Sequence, residues 1–136
     1  MVNVKYNWTS FEKDAKHISK IVSETYPNVK TIYAIPKGGL VIGVKLAHLL
    51  GAFLYVDINR LVSDINKGKV ELKNLLIVDD VSDTGNTLLK LNSLIDVNNC
   101  VVATLHTKTG TKFKPDISCK NYKRDEWIIY CWEKQQ

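Results

Sequence analysis

The sequence contains few of the residues that build a cross-linked or metal-bound framework. There are three cysteines, three histidines and three prolines among 136 residues. Cys100, Cys119 and Cys131 form no Cys-x-x-Cys pair, and their odd number does not suit a disulfide framework, so we expect reduced thiols. The histidines lie far apart without the spacing of zinc ligands, so no structural metal is predicted.

Long uninterrupted apolar runs are also lacking. The most apolar window, residues 38–56, contains Lys45 and His48 and is broken at Gly51, which argues against a transmembrane helix there. The first residues show no apolar core ahead of a small-residue cleavage site, as a secretory signal would. A cytoplasmic protein without membrane contact is therefore expected.

Internal repeats, low-complexity tracts and flexible linkers are absent, and the length fits one domain over residues 1–136. Hydrophobic residues make up 45% and charged residues 24%, which is typical of a globular protein. The net charge of +5 favours an anionic partner, either nucleic acid or a phosphorylated metabolite. The basic residues are spread along the chain, so an ordinary solvated surface explains them equally well.

Short apolar runs alternate with helical patterns along the chain. A capping box at Thr9 and Glu12 precedes a first amphipathic helix, and the turn at 36–39 precedes a second helix that ends at Gly51. Residues 59–73 are polar and are predicted to form a long loop. Strands are predicted at 31–35, 53–56, 75–78, 101–105 and 127–132, with a further helix over 88–95. This alternation predicts a parallel-sheet α/β domain with a ligand site at the carboxyl ends of its strands.

The strongest motif covers residues 75–87, LLIVDDVSDTGNT. An apolar strand ends in Asp79 and Asp80, and a turn rich in hydroxyl residues then opens into a helix. Such a turn presents backbone N–H groups and hydroxyl donors that suit a phosphate monoester. Carboxylates beside a phosphate cradle suit sugar hydroxyls or Mg²⁺. The motif predicts a sugar phosphate as ligand, and a strand followed by an acidic, N-capped helix is the alternative without one.

The segment VDDVSDTGNT resembles the motif that binds 5-phosphoribosyl-1-pyrophosphate (PRPP) in type I phosphoribosyltransferases. Other phosphate motifs fit poorly, because no Gly-x-Gly-x-x-Gly occurs and Gly68-Lys69 lacks the rest of a P-loop. The resemblance implies that Asp79 and Asp80 contact the ribose or a metal ion. It also implies that the PRPP 5′-phosphate is held by the turn formed by Asp83, Thr84, Gly85, Asn86 and Thr87.

Two further segments match the same family in the same order. The segment AIPKGGLVIG at 34–43 is similar to the pyrophosphate loop, in which Lys37, Gly38 and Gly39 would hold the diphosphate and the Pro36–Lys37 peptide bond would be cis. Near the C-terminal end, the resemblance to the xanthine-guanine and hypoxanthine-guanine enzymes gives a role in base binding to three residues. By this resemblance, Lys108 would donate to purine O6 and Trp127 would stack on the base. Ile128, the next residue, would offer its backbone groups to the purine edge.

The resemblance implies a pentosyltransferase that transfers the phosphoribosyl group of PRPP to guanine, hypoxanthine or xanthine in purine salvage. Asp83 would be catalytic, as acceptor of the purine N7 proton. Mg²⁺ is the implied cofactor, with Asp79, Asp80 and Glu133 as its ligands. The implied fold has a parallel sheet with helices on both faces and a short hood over 58–73, and the implied assembly is a homodimer or tetramer. Within the hood, three basic residues could reach the diphosphate: Arg60, Lys67 and Lys69.

Two other functions stay open at the level of sequence. A non-enzymatic regulator could keep the fold as a PRPP sensor and bind nucleic acid through its basic surface. The joint presence of Asp83, Lys108 and Trp127 argues against it, because a sensor needs no base pocket, and no helix-turn-helix extension is visible. A phosphoribosyltransferase for another base, such as a pyrimidine or a modified purine, is the second alternative.

Overall fold

The computed structural model describes residues 1–134 of the chain, in which strands alternate with helices until three strands follow one another at the C-terminal end. The strands are β1 (Val2–Tyr6), β2 (Thr31–Ala34), β3 (Phe53–Tyr55), β4 (Leu75–Ser82), β5 (Val101–Lys108), β6 (Ile117–Tyr122) and β7 (Glu126–Tyr130). The α-helices are α1 (Trp8–Thr25), α2 (Leu40–Leu50), α3 (Ile58–Asn66) and α4 (Asn86–Leu91).

A parallel sheet forms the centre of the fold. Its strands follow the order β3-β2-β4-β5-β6, and every neighbouring pair is parallel. Strands β1 and β7 pair in parallel as a separate two-stranded sheet. The carboxyl ends of β2, β4 and β5 therefore lie at one edge, where an open α/β sheet binds its ligands.

Helices cover both faces of the central sheet, as predicted. Alternate residues of β4 point to opposite faces, because side chains alternate along a strand. Leu76 and Val78 pack in the core that contains α1 and α2, whereas Leu75 and Ile77 pack with α3 and α4. Because both faces are buried, the inner strands are continuous apolar runs, and this pattern made them visible in the sequence.

The first helix is confirmed, but its predicted cap is wrong. The helix begins at Trp8, and the N-cap residue is Asn7, whose side-chain oxygen accepts a hydrogen bond from the Ser10 N–H at 2.8 Å. Thr9 lies inside the first turn. The apolar face is the predicted one, since Phe11 and Ile18 are buried.

The segment predicted as a long polar loop contains a nine-residue helix, α3. Asp57 caps it by accepting a hydrogen bond from the Asn59 N–H at 3.0 Å, and Leu61 is fully buried. Apolar residues at 58, 61, 62 and 65 have helical spacing, and between them Asn59 and Arg60 are exposed whereas Ser63 and Asp64 are half-buried. The loop was predicted from the average polarity of the segment, which hides this narrow apolar stripe.

Other boundaries also differ from the predicted ones. Strands β1 and β6 were missed, because both mix exposed and buried positions instead of forming apolar runs. The last helix ends at Leu91 and not at residue 95. Strand β4 extends to Ser82, so Asp79 and Asp80 lie within the strand and not after it. None of the helices within residues 1–134 combines the length and apolar character needed to cross a bilayer.

Candidate active site

A cavity of about 310 Å³ opens at the carboxyl edge of the sheet, between the β2–α2 loop and the β4–α4 turn. The predicted phosphate and PRPP residues that line it are Gly38, Asp79, Asp80, Asp83, Thr84, Gly85 and Thr87. Three other predicted residues lie in the same two loops without lining it: Lys37, Gly39 and Asn86. The two local motifs therefore converge, although about 40 residues of chain separate them.

The β4–α4 turn is braced from behind by the loop that follows β5. The Ser82 hydroxyl donates to the Phe113 carbonyl at 2.7 Å, and the Lys112 N–H donates to the Thr84 carbonyl at 2.9 Å. Gly85 adopts φ +87°, and a Cβ there would lie 2.5 Å from the Phe113 nitrogen. This position needs glycine for its conformation and for the close approach of the brace. The backbone N–H groups of the turn are thereby held around the cavity.

The β2–α2 loop approaches β4 closely. Its Pro36–Lys37 peptide bond is cis, which confirms the prediction. The Gly39 N–H donates to the Ile35 carbonyl at 2.8 Å. A Cβ at Gly38 would lie 2.6 Å from the carboxylate of Asp80, and one at Gly39 would lie 2.5 Å from the Val78 carbonyl oxygen.

These two glycines should respond differently to alanine. Gly39→Ala meets rigid backbone and should lower the free energy of unfolding by about 1–3 kcal/mol, the usual cost of overpacking. The nearest atoms to the new Cβ in Gly38→Ala belong to the carboxylate of Asp80, which can rotate, so this variant should fold with nearly wild-type stability and weaken PRPP binding. Urea denaturation and calorimetric titration with PRPP measure the two effects. Equal loss of stability in both variants would contradict this difference.

Asp79 and Asp80 form a buried acidic pair at the cavity. Asp79 is only 8% exposed. The Asp80 N–H donates to Asp79 Oδ1 at 2.9 Å, and the Val81 N–H donates to Asp80 Oδ1 at 2.8 Å. Burial raises the pKa of both carboxyl groups, and the charge of Asp80 raises that of Asp79 further. No basic side chain within residues 1–134 forms an ion pair with either.

The acidic pair fits a divalent cation or sugar hydroxyls, because buried carboxylates without a basic partner gain from either.

Glu133, the third predicted metal ligand, lines a neighbouring cavity together with Asp80. Within residues 1–134, no three side chains of the ligating types converge on one point. A cation here would therefore take its remaining ligands from substrate or water, as Mg²⁺ commonly does.

The acidic pair predicts an unusual pH dependence of stability. A carboxyl group with a raised pKa binds its proton more tightly in the folded state, so its contribution to the free energy of unfolding should fall as pH rises from about 4 to about 8. The slope contributed by one group is at most about 1.4 kcal/mol per pH unit. Mg²⁺ should stabilise the protein more at pH 8 than at pH 5, because it favours the ionised pair.

Urea denaturation at these two pH values, with and without MgCl₂, measures both effects. Asp79→Asn is the comparison variant and should remove most of the slope. Burial lowers the pKa of His106 to about 4, so His106 makes stability fall as pH drops below 6.5, and this contribution is present in both proteins. Equal pH slopes in wild type and variant would contradict the prediction.

A second cavity, of about 200 Å³, lies beside the first and is lined by all three predicted base-binding residues. Strand β5 contributes Lys108 at its carboxyl end, and β7 contributes Trp127 and Ile128. Lys108 is buried, its Nζ donates to the Glu126 carbonyl, and Nζ lies 5.4 Å from the centre of the Trp127 ring. Trp127 is 49% exposed, so its indole remains accessible. Ile128 is buried.

The two cavities meet at the end of β4. Asp80, Val81 and Asp83 line both of them. Asp83 thus stands between the β4–α4 turn and the group formed by Lys108 and Trp127. The hood residues Arg60, Lys67 and Lys69 line neither cavity within the described chain.

Sequence reasoning missed two contacts of the site. Arg124 pairs with the carboxylate of Asp83. Tyr130 donates to the Asp80 carbonyl at 3.5 Å, and its hydroxyl lies 2.9 Å from His106 Nδ1. The contacts with Asp83 and Asp80 join residues 41 and 50 positions apart, and no local pattern signals them.

Comparison with known proteins identifies the family. The model of the phosphoribosyl transferase domain matches residues 6–134. The chain belongs to this family. Its members transfer a phosphoribosyl group, so the phosphoribosyltransferase is an enzyme of the glycosyltransferase class, as predicted.

Solved structures agree with the family and the fold. The purine phosphoribosyltransferase from Pyrococcus horikoshii Ot3 superposes with a TM-score of 0.78 at 25% identity, over 100% of this chain and 97% of that one. The xanthine-guanine-hypoxanthine phosphoribosyltransferase from Helicobacter pylori gives 0.76 at 24% identity, over 96% and 93%. A hypothetical protein from Neisseria gonorrhoeae with bound ppGpp gives 0.74 at 21% identity, over 98% and 90%. The phosphoribosyltransferase therefore has the type I fold of the purine branch.

Proposed function

We propose that this phosphoribosyltransferase transfers the 5-phosphoribosyl group of PRPP to a 6-oxopurine and releases pyrophosphate. The observation that carries the proposal is the junction of the two cavities. One is lined by a phosphate turn and carboxylates, the other by a lysine and an exposed indole, and Asp83 lies in both. A sugar phosphate and a flat base bound in these cavities would meet at Asp83.

The first cavity would hold PRPP. Backbone N–H groups from Asp83 to Thr87 suit the 5′-phosphate, because donors held in a braced turn need no reorganisation to bind an anion. Lys37 and the amides of Gly38 and Gly39 lie in the facing loop and would hold the diphosphate. The buried pair Asp79 and Asp80 would accept hydrogen bonds from the ribose hydroxyls.

The second cavity would hold the base. The Lys108 ammonium has three donors, and one is used by the Glu126 carbonyl, so others remain for purine O6. The exposed face of Trp127 suits stacking on a planar heterocycle, and the backbone of Ile128 would contact the purine edge. Asp83 would accept the proton at N7.

The proposed reaction is a displacement at C1′ of the ribose. Purine N9 forms a bond to C1′ while the bond from C1′ to the pyrophosphate oxygen breaks and its electron pair leaves with pyrophosphate. The N7–H proton passes to the carboxylate of Asp83, and its electron pair stays in the ring. Carboxylates beside C1′ stabilise the positive charge that develops on the ribose, as in glycoside transfer.

Mg²⁺ is proposed as the cofactor, because the unpaired acidic pair fits a hard cation. Asp79 and Asp80 are the residues that would contact it directly, and Glu133, which lines the neighbouring cavity, would reach it only through substrate or water. When bound, the ion neutralises charge on the leaving diphosphate. The proposed context is purine salvage in the cytoplasm, with a homodimer or tetramer as the assembly.

Two of the similar structures support the purine branch: the proteins from Pyrococcus horikoshii Ot3 and Helicobacter pylori are purine phosphoribosyltransferases. The test is pyrophosphate release with Mg²⁺ and PRPP, supplying guanine, hypoxanthine, xanthine, adenine and uracil in turn. Release with a 6-oxopurine and not with adenine or uracil is expected. Release only with another base would move the substrate outside this group. PRPP binding without release for any base would favour the sensor function.

A further inference from the structure

An ion pair connects the turn before β7 to the phosphate turn. The Arg124 Nη2 pairs with Asp83 Oδ1 and also donates to the Asp83 carbonyl oxygen at 3.1 Å. The side chains are 48% and 39% exposed, so the pair adds little to stability. Two contacts from one planar guanidinium nevertheless restrict both the backbone and the rotamer of Asp83.

The geometry leaves one oxygen of Asp83 available. Oδ1 is occupied by Arg124, whereas Oδ2 has no hydrogen-bond partner within the described part of the chain. Asp83 lines both cavities, but Arg124 lines neither. Arg124 therefore reaches the site only through Asp83.

The turn that carries Arg124 also holds Lys108. Its ends are closed by two hydrogen bonds, from the Lys123 N–H to Glu126 Oε1 at 2.9 Å and from the Glu126 N–H to the Lys123 carbonyl at 3.0 Å. The Glu126 carbonyl accepts from Lys108 Nζ, and Trp127 follows directly. One short turn thus contacts Asp83 and Lys108 and leads into Trp127, three groups that face the proposed base.

We propose that Arg124 is a positioning residue for proton acceptance by Asp83. It fixes Oδ1 so that Oδ2 is presented to the N–H of the base, and it keeps the phosphate turn in register with the base-binding strand. The inference rests on the proposed function, because it uses the role of Asp83 as proton acceptor. It adds a residue whose effect depends wholly on that carboxylate.

The test compares Arg124→Ala, Arg124→Lys and the matched control Lys123→Ala, which removes a charge from the same turn at an exposed side chain. Arg124→Ala should lower kcat about ten- to a hundredfold with a 6-oxopurine, since misplacement of a reacting group costs up to about 10²-fold. Its PRPP affinity by calorimetry should stay within about twofold of wild type, and its Tm should change little. Arg124→Lys should recover most of kcat, because lysine can still donate to Oδ1.

The decisive measurement is a double-mutant cycle with Asp83→Asn. If Arg124 acts through the carboxylate, Arg124→Ala should have almost no further effect on kcat in the Asp83→Asn background. If the two losses multiply, the inference is overturned while the proposed function stands. Wild-type kcat in Arg124→Ala, or an increase, also overturns it, since the ion pair would then be neutral or restraining. A wild-type kcat in the single variant Asp83→Asn would instead contradict the proposed role of Asp83. This measurement does not involve any change at Arg124.

Discussion

Asp83→Asn is expected to fold and to bind PRPP normally, yet to turn over about 10²–10⁴-fold more slowly at saturating substrates. Asparagine keeps the size of the side chain, its preference for turns and an oxygen that can accept from Arg124. It loses the ability to take the purine proton and the negative charge near the developing ribose cation. The phosphate turn is braced by contacts of Ser82 and Thr84, which the change leaves in place.

Steady-state rates and calorimetric PRPP affinity measure this prediction. Asp125→Asn is the matched control, because it removes an exposed carboxylate from the turn that carries Arg124 and lines neither cavity. Its turnover should equal that of wild type. Unchanged catalysis in Asp83→Asn would make Asp83 a turn and capping residue, because asparagine caps a helix about as well as aspartate.

Lys108→Ala is expected to weaken 6-oxopurine binding about ten- to a hundredfold and to leave PRPP affinity nearly unchanged. A lost hydrogen bond to a charged group costs about 1.5–3 kcal/mol, and of the two substrates only the base would lose one. Lys108 lines the second cavity, proposed for the base, and does not line the first, proposed for PRPP. Base KM and PRPP affinity, measured separately, test the separation of the two subsites.

Because Lys108 is buried, the alanine variant also leaves the Glu126 carbonyl without its donor and creates a cavity. Lys108→Gln is therefore measured beside it, since the amide retains a donor and much of the volume. Lys114→Ala serves as the control for loss of an exposed lysine. Loss of PRPP affinity with intact base affinity would mean that the second cavity does not bind the purine.

The sequence was sufficient wherever a feature is encoded by neighbouring residues. In these features a contiguous stretch of residues has a backbone preference that agrees with its burial in the fold. They are the β4–α4 turn at 82–87, the loop at 36–39 and the apolar strands β2, β4 and β5. Parallel order brings the carboxyl ends of these strands to one edge, so the two motifs were expected to meet there, and a cavity of about 310 Å³ lies between them. The family resemblance then supplied Lys108, Trp127 and Ile128, which no local pattern would have joined.

The tertiary structure alone decided how these parts meet. Strand β1 is short and largely exposed, and its partner β7 lies more than a hundred residues away, so neither composition nor periodicity could reveal the pair. The burial of the apolar stripe of α3 depends on the sheet face that receives it. The contact between Arg124 and Asp83 joins two exposed polar side chains 41 residues apart. Such pairings depend on the three-dimensional course of the chain. An exposed charged side chain is hydrated with or without a protein partner, so the pairing leaves no pattern in the sequence.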